Sequence, residues 1–229
     1  MNPQSAIRNA QSPRAVVFDL DGLMFNTEEL YIDVGSEILR RRGKAFTREL
    51  LDKMMGRPSA VALQFMIDEH ALQATVEELL AETDDIFPEI LRTRLATMPG
   101  LMELLAALEG KGIPKAIATS SRRSFVDRVL TPFHLHPRFA FILASEDITH
   151  GKPHPEIYLK AAQRHGVLPQ EMLVFEDSAN GCRAALAAGA MTVAVPGDHS
   201  RGHDFSGSVL VADSLADERI YRLLEIEVR

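Results

Sequence analysis

After a polar opening, the chain sets down a short apolar run and then changes rhythm. Residues 15–20 (AVVFDL) read as a strand, and so continuous an apolar run fits a parallel sheet covered on both faces. From residue 28 to about 97 the apolar positions fall at helical spacing instead. Leu30, Val34 and Ile38 form one stripe, Thr47 can cap a segment running through Met55, and Ser59 can cap another through His70. Thr75 followed by Glu78 is a capping-box signature for a fourth helix, which Pro88 is expected to interrupt or kink. Nothing in this block reads as a strand, so an all-helical insert is expected.

Pro99-Gly100 punctuates the return, and from there the two rhythms alternate. A helix carrying Leu101, Leu104, Leu105 and Leu108 ends near Gly110 and Gly112. Strands are expected over residues 115–119, 141–144, 173–175, 192–195 and 209–211, with helices over 124–130, 155–165 and 179–188 between them, the last stopped by Gly189. Such alternation implies an α/β fold: a doubly wound, Rossmann-like parallel sheet whose ligands sit at the carboxyl ends of the strands. The expected organisation is a flexible lead-in over residues 1–14, a core built from 15–27 and 98–229, and a helical cap domain over 28–97, inserted after the first strand and sitting over that edge.

Composition narrows the function. A formal charge of -7 and the lack of any long Lys/Arg run argue against an extended nucleic-acid surface. No apolar run approaches the ~18 residues of a membrane span, and the opening has no signal-peptide core, so a cytoplasmic protein without a membrane partner is expected. The lone cysteine, Cys182, lies among Arg183, Ala184 and Ala185 and reads as a small packed side chain. The oligomeric state is open.

The chemistry-bearing residues fall at the strand ends. Asp19 and Asp21 follow the first strand; Thr119, Ser120 and Ser121 the second; Lys152 the third, in the loop HGKPHPE; Glu176 and Asp177 the fourth. In a parallel sheet these four loops converge. Four carboxylates against one lysine give -4 + 1 = -3, and a phosphate dianion would add to the repulsion, so a divalent cation is the simplest remedy. Oxygen donors without His or Cys favour a hard ion, and Mg²⁺ suits a site of carboxylates, waters and a phosphate oxygen. Asp19, Asp21, Glu176 and Asp177 are therefore the candidate metal residues. One strand-end aspartate can attack phosphorus while the other handles the proton, a role Asp21 can fill. The Thr119 hydroxyl and Lys152 can meet the charge on the transferring group. Ser120 and Arg57, in the loop MGRPS, are candidate substrate-binding residues. His150 and His154 flank Lys152 and read as loop residues, since the carboxylates already satisfy a hard ion.

DLDG at 19–22, ATSS at 118–121, GKPHPE at 151–156 and FEDSANG at 175–181 stand in the order found in the haloacid dehalogenase superfamily of phosphotransferases, which the chain resembles from residue 15 to about 211. The resemblance implies Asp19 as nucleophile and Asp21 as acid/base that also offers its backbone carbonyl to Mg²⁺. It further implies Thr119 and Lys152 as phosphate ligands, Asp177 as a metal ligand, and a mobile cap. Dehalogenase members lack the second aspartate, so Asp21 points to phosphate rather than halide chemistry. GLMFNTEELY, MGR, FP, MPG and ALAAG are similar to the branch that holds β-phosphoglucomutase and the small-molecule phosphatases. Asn26 stands where most relatives carry Asp, Tyr31 stands where the mutase has His, and the segment before Phe87 offers no counterpart to the mutase's cap lysine. The leading expectation is thus a Mg²⁺-dependent phosphatase acting on a small phosphorylated metabolite, a sugar phosphate or nucleotide-like monoester. A phosphohexomutase would instead yield isomerised sugar phosphate. A non-catalytic module on the same fold would hydrolyse nothing.

Overall fold

The computed structural model describes residues 12–54, 59–198 and 200–227. Most of the expected lead-in, together with Met55 and Arg57, lies outside them. The chain divides into two compact units, one running to Phe25 and resuming at Thr97, the other Asn26–Ala96.

In the first unit six short strands form one all-parallel sheet: β1 (Ala15–Phe18), β2 (Lys115–Ala118), β3 (Ile142–Leu143), β4 (Met172–Glu176), β5 (Met191–Ala194) and β6 (Leu210–Val211). Their order is β3-β2-β1-β4-β5-β6. The first strand lies centrally, between β2 and β4, where the winding reverses direction; in open α/β sheets the crevice outside the strand ends at that point is where ligands bind. Every residue of β1, β2 and β4 is buried, as their apolar runs require. Phe18 and Phe175 stack across the β1–β4 pair with ring centroids 5.0 Å apart. The third strand is shorter than expected: its ladder covers only Ile142 and Leu143, while the carbonyl of Phe141 still accepts from the Ile117 amide at 3.2 Å.

One face of this sheet is sealed by small side chains. Ala161 and Ala162 of the helix Glu156–His165, and Ala184, Ala185 and Ala188 of the helix Ala179–Ala188, are buried in one cluster with Val17, Ala116 and Val174, so both helices approach the strands closely. The second of these helices begins where Ser178 accepts a hydrogen bond from the Gly181 amide at 3.0 Å and ends at Gly189, whose φ of 85° closes it in the left-handed region.

The second unit contains α1 (Thr27–Arg40), α2 (Arg48–Met54), α3 (Ser59–His70) and α4 (Val76–Arg94). Leu30, Val34 and Ile38 of α1 are buried, as are Leu79, Ile86, Phe87 and Leu91 of α4. Thr47 caps α2 through the Leu50 amide at 3.2 Å, and Thr75 with Glu78 forms the expected reciprocal box at the start of α4. Of the two outcomes expected at Pro88, interruption or a kink, the first is corrected: α4 continues through it. Proline removes one donor from the ladder, and the buried residues on either side hold the helix together across the gap.

Asn26 is bonded through both halves of its amide. Its Oδ1 accepts from the Ala96 amide at 2.8 Å and its Nδ2 donates to the Arg94 carbonyl at 3.2 Å, so one side chain ties the two ends of the helical unit together. A carboxylate could accept the first bond but could not donate the second.

Removing the α4 cap tests this reading of the helical unit. Thr75→Ala is expected to cost about 0.5–2 kcal/mol of stability, seen as a lower midpoint in thermal unfolding followed by circular dichroism.

Candidate active site

The four loops meet at the carboxyl ends of the central strands. Asp19 extends β1 by one residue, its amide donating to the Phe175 carbonyl at 3.0 Å, and Thr119 extends β2 in the same way toward Leu143. Gly22, directly after Asp21, has a φ of 73°, a conformation that suits glycine.

Lys152 is the centre of the arrangement. Its buried ammonium donates to Asp19 Oδ1 at 2.5 Å, to Glu176 Oε1 at 2.6 Å and to the Ala118 carbonyl at 3.1 Å. An ammonium has three protons, and these three acceptors come from the ends of β1, β4 and β2. Burial works against the charge on Lys152, but Asp19 and Glu176 outweigh it and hold the ammonium well above the usual lysine range. For Asp19 the balance differs. Burial pushes its carboxyl up to about 8, with Glu176 and Asp21 adding to the rise and Lys152 opposing it.

Glu176 is engaged on both oxygens. Besides Lys152, Oε1 accepts from the Tyr158 hydroxyl at 2.6 Å, while Oε2 accepts from Ser178 Oγ at 3.0 Å and from its amide at 3.3 Å. Burial and the neighbouring Glu176 hold the Tyr158 phenol well above its usual range, so it remains a donor. The Tyr158 ring also lies under the ammonium, 5.0 Å from Lys152 Nζ. The sequence reading placed Glu176 only among the metal residues; the geometry shows that it also anchors Lys152.

On the other side, Asp21 Oδ2 accepts from Ser121 Oγ at 2.6 Å and from Thr119 Oγ1 at 3.3 Å, and the Ser121 amide donates to Thr119 Oγ1 at 3.0 Å. Ser120, the expected substrate contact, is exposed, and its neighbour Ser121 makes the hydroxyl contact with the aspartate. Nothing in the sequence distinguishes the two serines, because the turn after β2 decides which one faces inward. Tyr158 was equally hidden. Its position two residues into a helix reads as core, which it is, and only the strand-end carboxylate beside it gives its hydroxyl a partner.

Asp19, Glu176 and Asp177 each offer one carboxylate oxygen, all within 4.8 Å of one another and all buried. An oxygen-only donor set of this density fits a hard divalent cation, and the upward push on Asp19 is the electrostatic demand that such a cation would relieve. His150, His154 and Glu156 form a second, exposed group on the same loop as Lys152.

A model of the haloacid dehalogenase-like hydrolases matches residues 16–195. The chain belongs to this family. A probable pseudouridine-5'-phosphatase of Drosophila melanogaster is 35% identical over 207 residues, covering 88% of this chain and 89% of that one. A phosphorylated carbohydrates phosphatase of Thermotoga maritima is 32% identical over 176 residues, covering 76% and 81%. Among solved structures, that of CbbY from Rhodobacter sphaeroides in complex with phosphate superimposes with a TM-score of 0.74 at 26% identity, covering 90% of this chain and 96% of that one. This family member thus shares the α/β fold with relatives named as phosphatases.

The Glu176 anchor also accounts for Gly181. A methyl group at Gly181 would overlap the Glu176 carboxylate, whereas one at Gly110, also helical, would meet open space. Gly→Ala inside a helix ordinarily stabilises by roughly 0.5–1 kcal/mol, and Gly110→Ala should do so. Gly181→Ala should instead destabilise by about 1–3 kcal/mol. Paired urea titrations of the two variants give opposite signs if the carboxylate sits where described.

Proposed function

We propose that this chain hydrolyses a small phosphorylated metabolite, a sugar phosphate or nucleotide-like monoester, through a phosphoryl group carried on Asp19. That it is a phosphoric monoester hydrolase follows from its family and from the phosphatases among its relatives. The finer reading rests on one observation: Lys152 joins the strand-end carboxylates Asp19 and Glu176 in a single buried cluster.

In this reading a carboxylate oxygen of Asp19 attacks phosphorus and the bond to the leaving oxygen breaks, with Asp21 giving that oxygen its proton. Water then attacks the phosphorus of the aspartyl-phosphate, Asp21 takes the water's proton, and phosphate leaves with Asp19 restored. The hydrogen bonds of the Ser121 and Thr119 hydroxyls to the Asp21 carboxylate support this role by fixing its orientation. Lys152 holds the nucleophile in place and offsets charge on the transferring group. When bound, Mg²⁺ held by Asp19 and Asp177, with Asp21 and Glu176 as further ligands, would neutralise this charge and position the phosphate. Tyr158 acts on the reaction through Glu176 and Lys152 and is a positioning residue.

The helical unit inserted directly after the nucleophile's strand is assigned the role of a specificity cap. Tyr31 stands where the resemblance puts the mutase's His, and the missing His supports hydrolysis over phosphoryl transfer between sugar hydroxyls; the Tyr31 ring stacks on Phe87 with centroids 4.8 Å apart.

A panel of phosphomonoesters, assayed for released phosphate with Mg²⁺, tests the proposal. Asp19→Asn is expected to lower kcat by about a thousandfold or more while leaving the circular dichroism spectrum unchanged. EDTA is expected to abolish turnover, and Mg²⁺ to restore it. Near-wild-type turnover by Asp19→Asn would remove the nucleophile. Isomerised sugar phosphate appearing ahead of free phosphate would replace hydrolysis with mutase chemistry.

A further inference from the structure

The segment that delivers Lys152 carries a second group of metal-ligating side chains, separate from the acidic cluster. His150 Nδ1 lies 3.1 Å from Glu156 Oε2, and His154 Nδ1 accepts from the Glu156 amide at 3.3 Å, so the inner nitrogen of each ring is directed toward the start of the same helix. The two rings face one another with centroids 4.6 Å apart. One ligand atom from each of the three residues lies within 4.8 Å of the others. We propose that His150, His154 and Glu156 form a surface site for a borderline divalent cation of the Zn²⁺ type, distinct in chemistry from the oxygen-only site beside Asp19.

One pair already has the spacing of ligands around a metal. Two donors each about 2.0–2.1 Å from a tetrahedral ion stand roughly 3.4 Å apart, and the His150–Glu156 pair already lies at 3.1 Å. The ion takes the place of the proton between His150 Nδ1 and the carboxylate, and that proton moves to the outer nitrogen, leaving a neutral imidazole in its other tautomer. The exposed imidazoles can complete the set by small rotations, and the ion enters directly from solvent. Two imidazoles and one carboxylate, with water in the fourth position, make a donor set suited to Zn²⁺ and poorly suited to Mg²⁺.

Glu156 is prepared for this role. The Lys160 ammonium, the Thr149 and His150 amides and the His150 ring hold its carboxyl down at about 2, so it is ionised at any working pH. Lys160 donates to Oε1 at 2.6 Å, leaving Oε2 to the histidine side. The turn between the two histidines is closed by the His154 amide donating to the Gly151 carbonyl at 3.0 Å, and Lys152 lies within it. An ion bound here would therefore grip both flanks of the residue that holds Asp19.

Cobalt(II) is the direct probe, because tetrahedral nitrogen–oxygen coordination absorbs strongly in the visible while an octahedral oxygen site absorbs weakly. The full untagged chain, kept in saturating Mg²⁺, is titrated with Co²⁺ and then with Zn²⁺. One equivalent of strongly absorbing Co²⁺, displaced by Zn²⁺, is expected in the wild type and in Asp177→Asn. In His150→Ala and His154→Ala the apparent affinity should fall tenfold or more. Absence of the bands in the wild type, or bands of equal intensity and affinity in the histidine variants, would overturn the site. Neither result bears on the phosphatase reading, since Asp177→Asn separates the two centres.

Discussion

A single buried ammonium holds the site together. Lys152 spends its three protons on Asp19, Glu176 and the Ala118 carbonyl, and so ties together the ends of three neighbouring strands. Two carboxylates this close repel, and Lys152 offsets that repulsion and the cost of burial only in part. The bridge is not neutral overall: with Asp21 and Asp177 beside it, the cluster keeps more negative than positive charge, and burial raises the Asp19 carboxyl accordingly. That surplus is what a divalent cation would offset in the proposed reaction.

Much of the surrounding structure can be understood as support for that bridge. The parallel sheet places β1 between β2 and β4, so residues far apart in sequence emerge side by side. Tyr158 gives Glu176 a hydrogen bond and gives Lys152 an aromatic face from the same side chain. Ser178 serves twice, capping its helix through Gly181 and binding the second oxygen of Glu176. Removing one partner of such a buried pair commonly costs about 3–5 kcal/mol, because the remaining charge is stranded. These supports therefore protect stability as well as geometry.

The sequence made the framework legible because the framework is repetitive. Continuous apolar runs marked the buried strands, stripes such as Leu30–Val34–Ile38 marked helices, and Thr75 with Glu78 or Gly189 marked their ends. Phe141 and Ala144 were read into a strand whose ladder is assigned to Ile142 and Leu143 alone, although the Phe141 carbonyl still bonds to β2, because apolar character does not mark where a ladder ends. Pro88 does not interrupt its helix, since helix propensity is local and the packing of Ile86, Phe87 and Leu91 is not. At the site, charge counting found the carboxylates and Lys152. It could not find the division of labour between Glu176 and Asp177, the choice of Ser121 over Ser120, or the use of Tyr158, which depend on side-chain directions at the ends of strands. Asn26 shows the same limit: only the folded chain reveals that both halves of its amide are bonded.

The account stands or falls on where the phosphoryl group goes. Single-turnover reaction with a hydrolysed substrate, quenched and reduced with borohydride, converts an aspartyl-phosphate to homoserine, which peptide mass spectrometry locates. The account predicts homoserine at position 19 alone, formed only when substrate and Mg²⁺ are both present. Its appearance at position 21 or elsewhere, or its absence while product accumulates, would contradict the claim that Lys152 holds Asp19 ready to attack phosphorus.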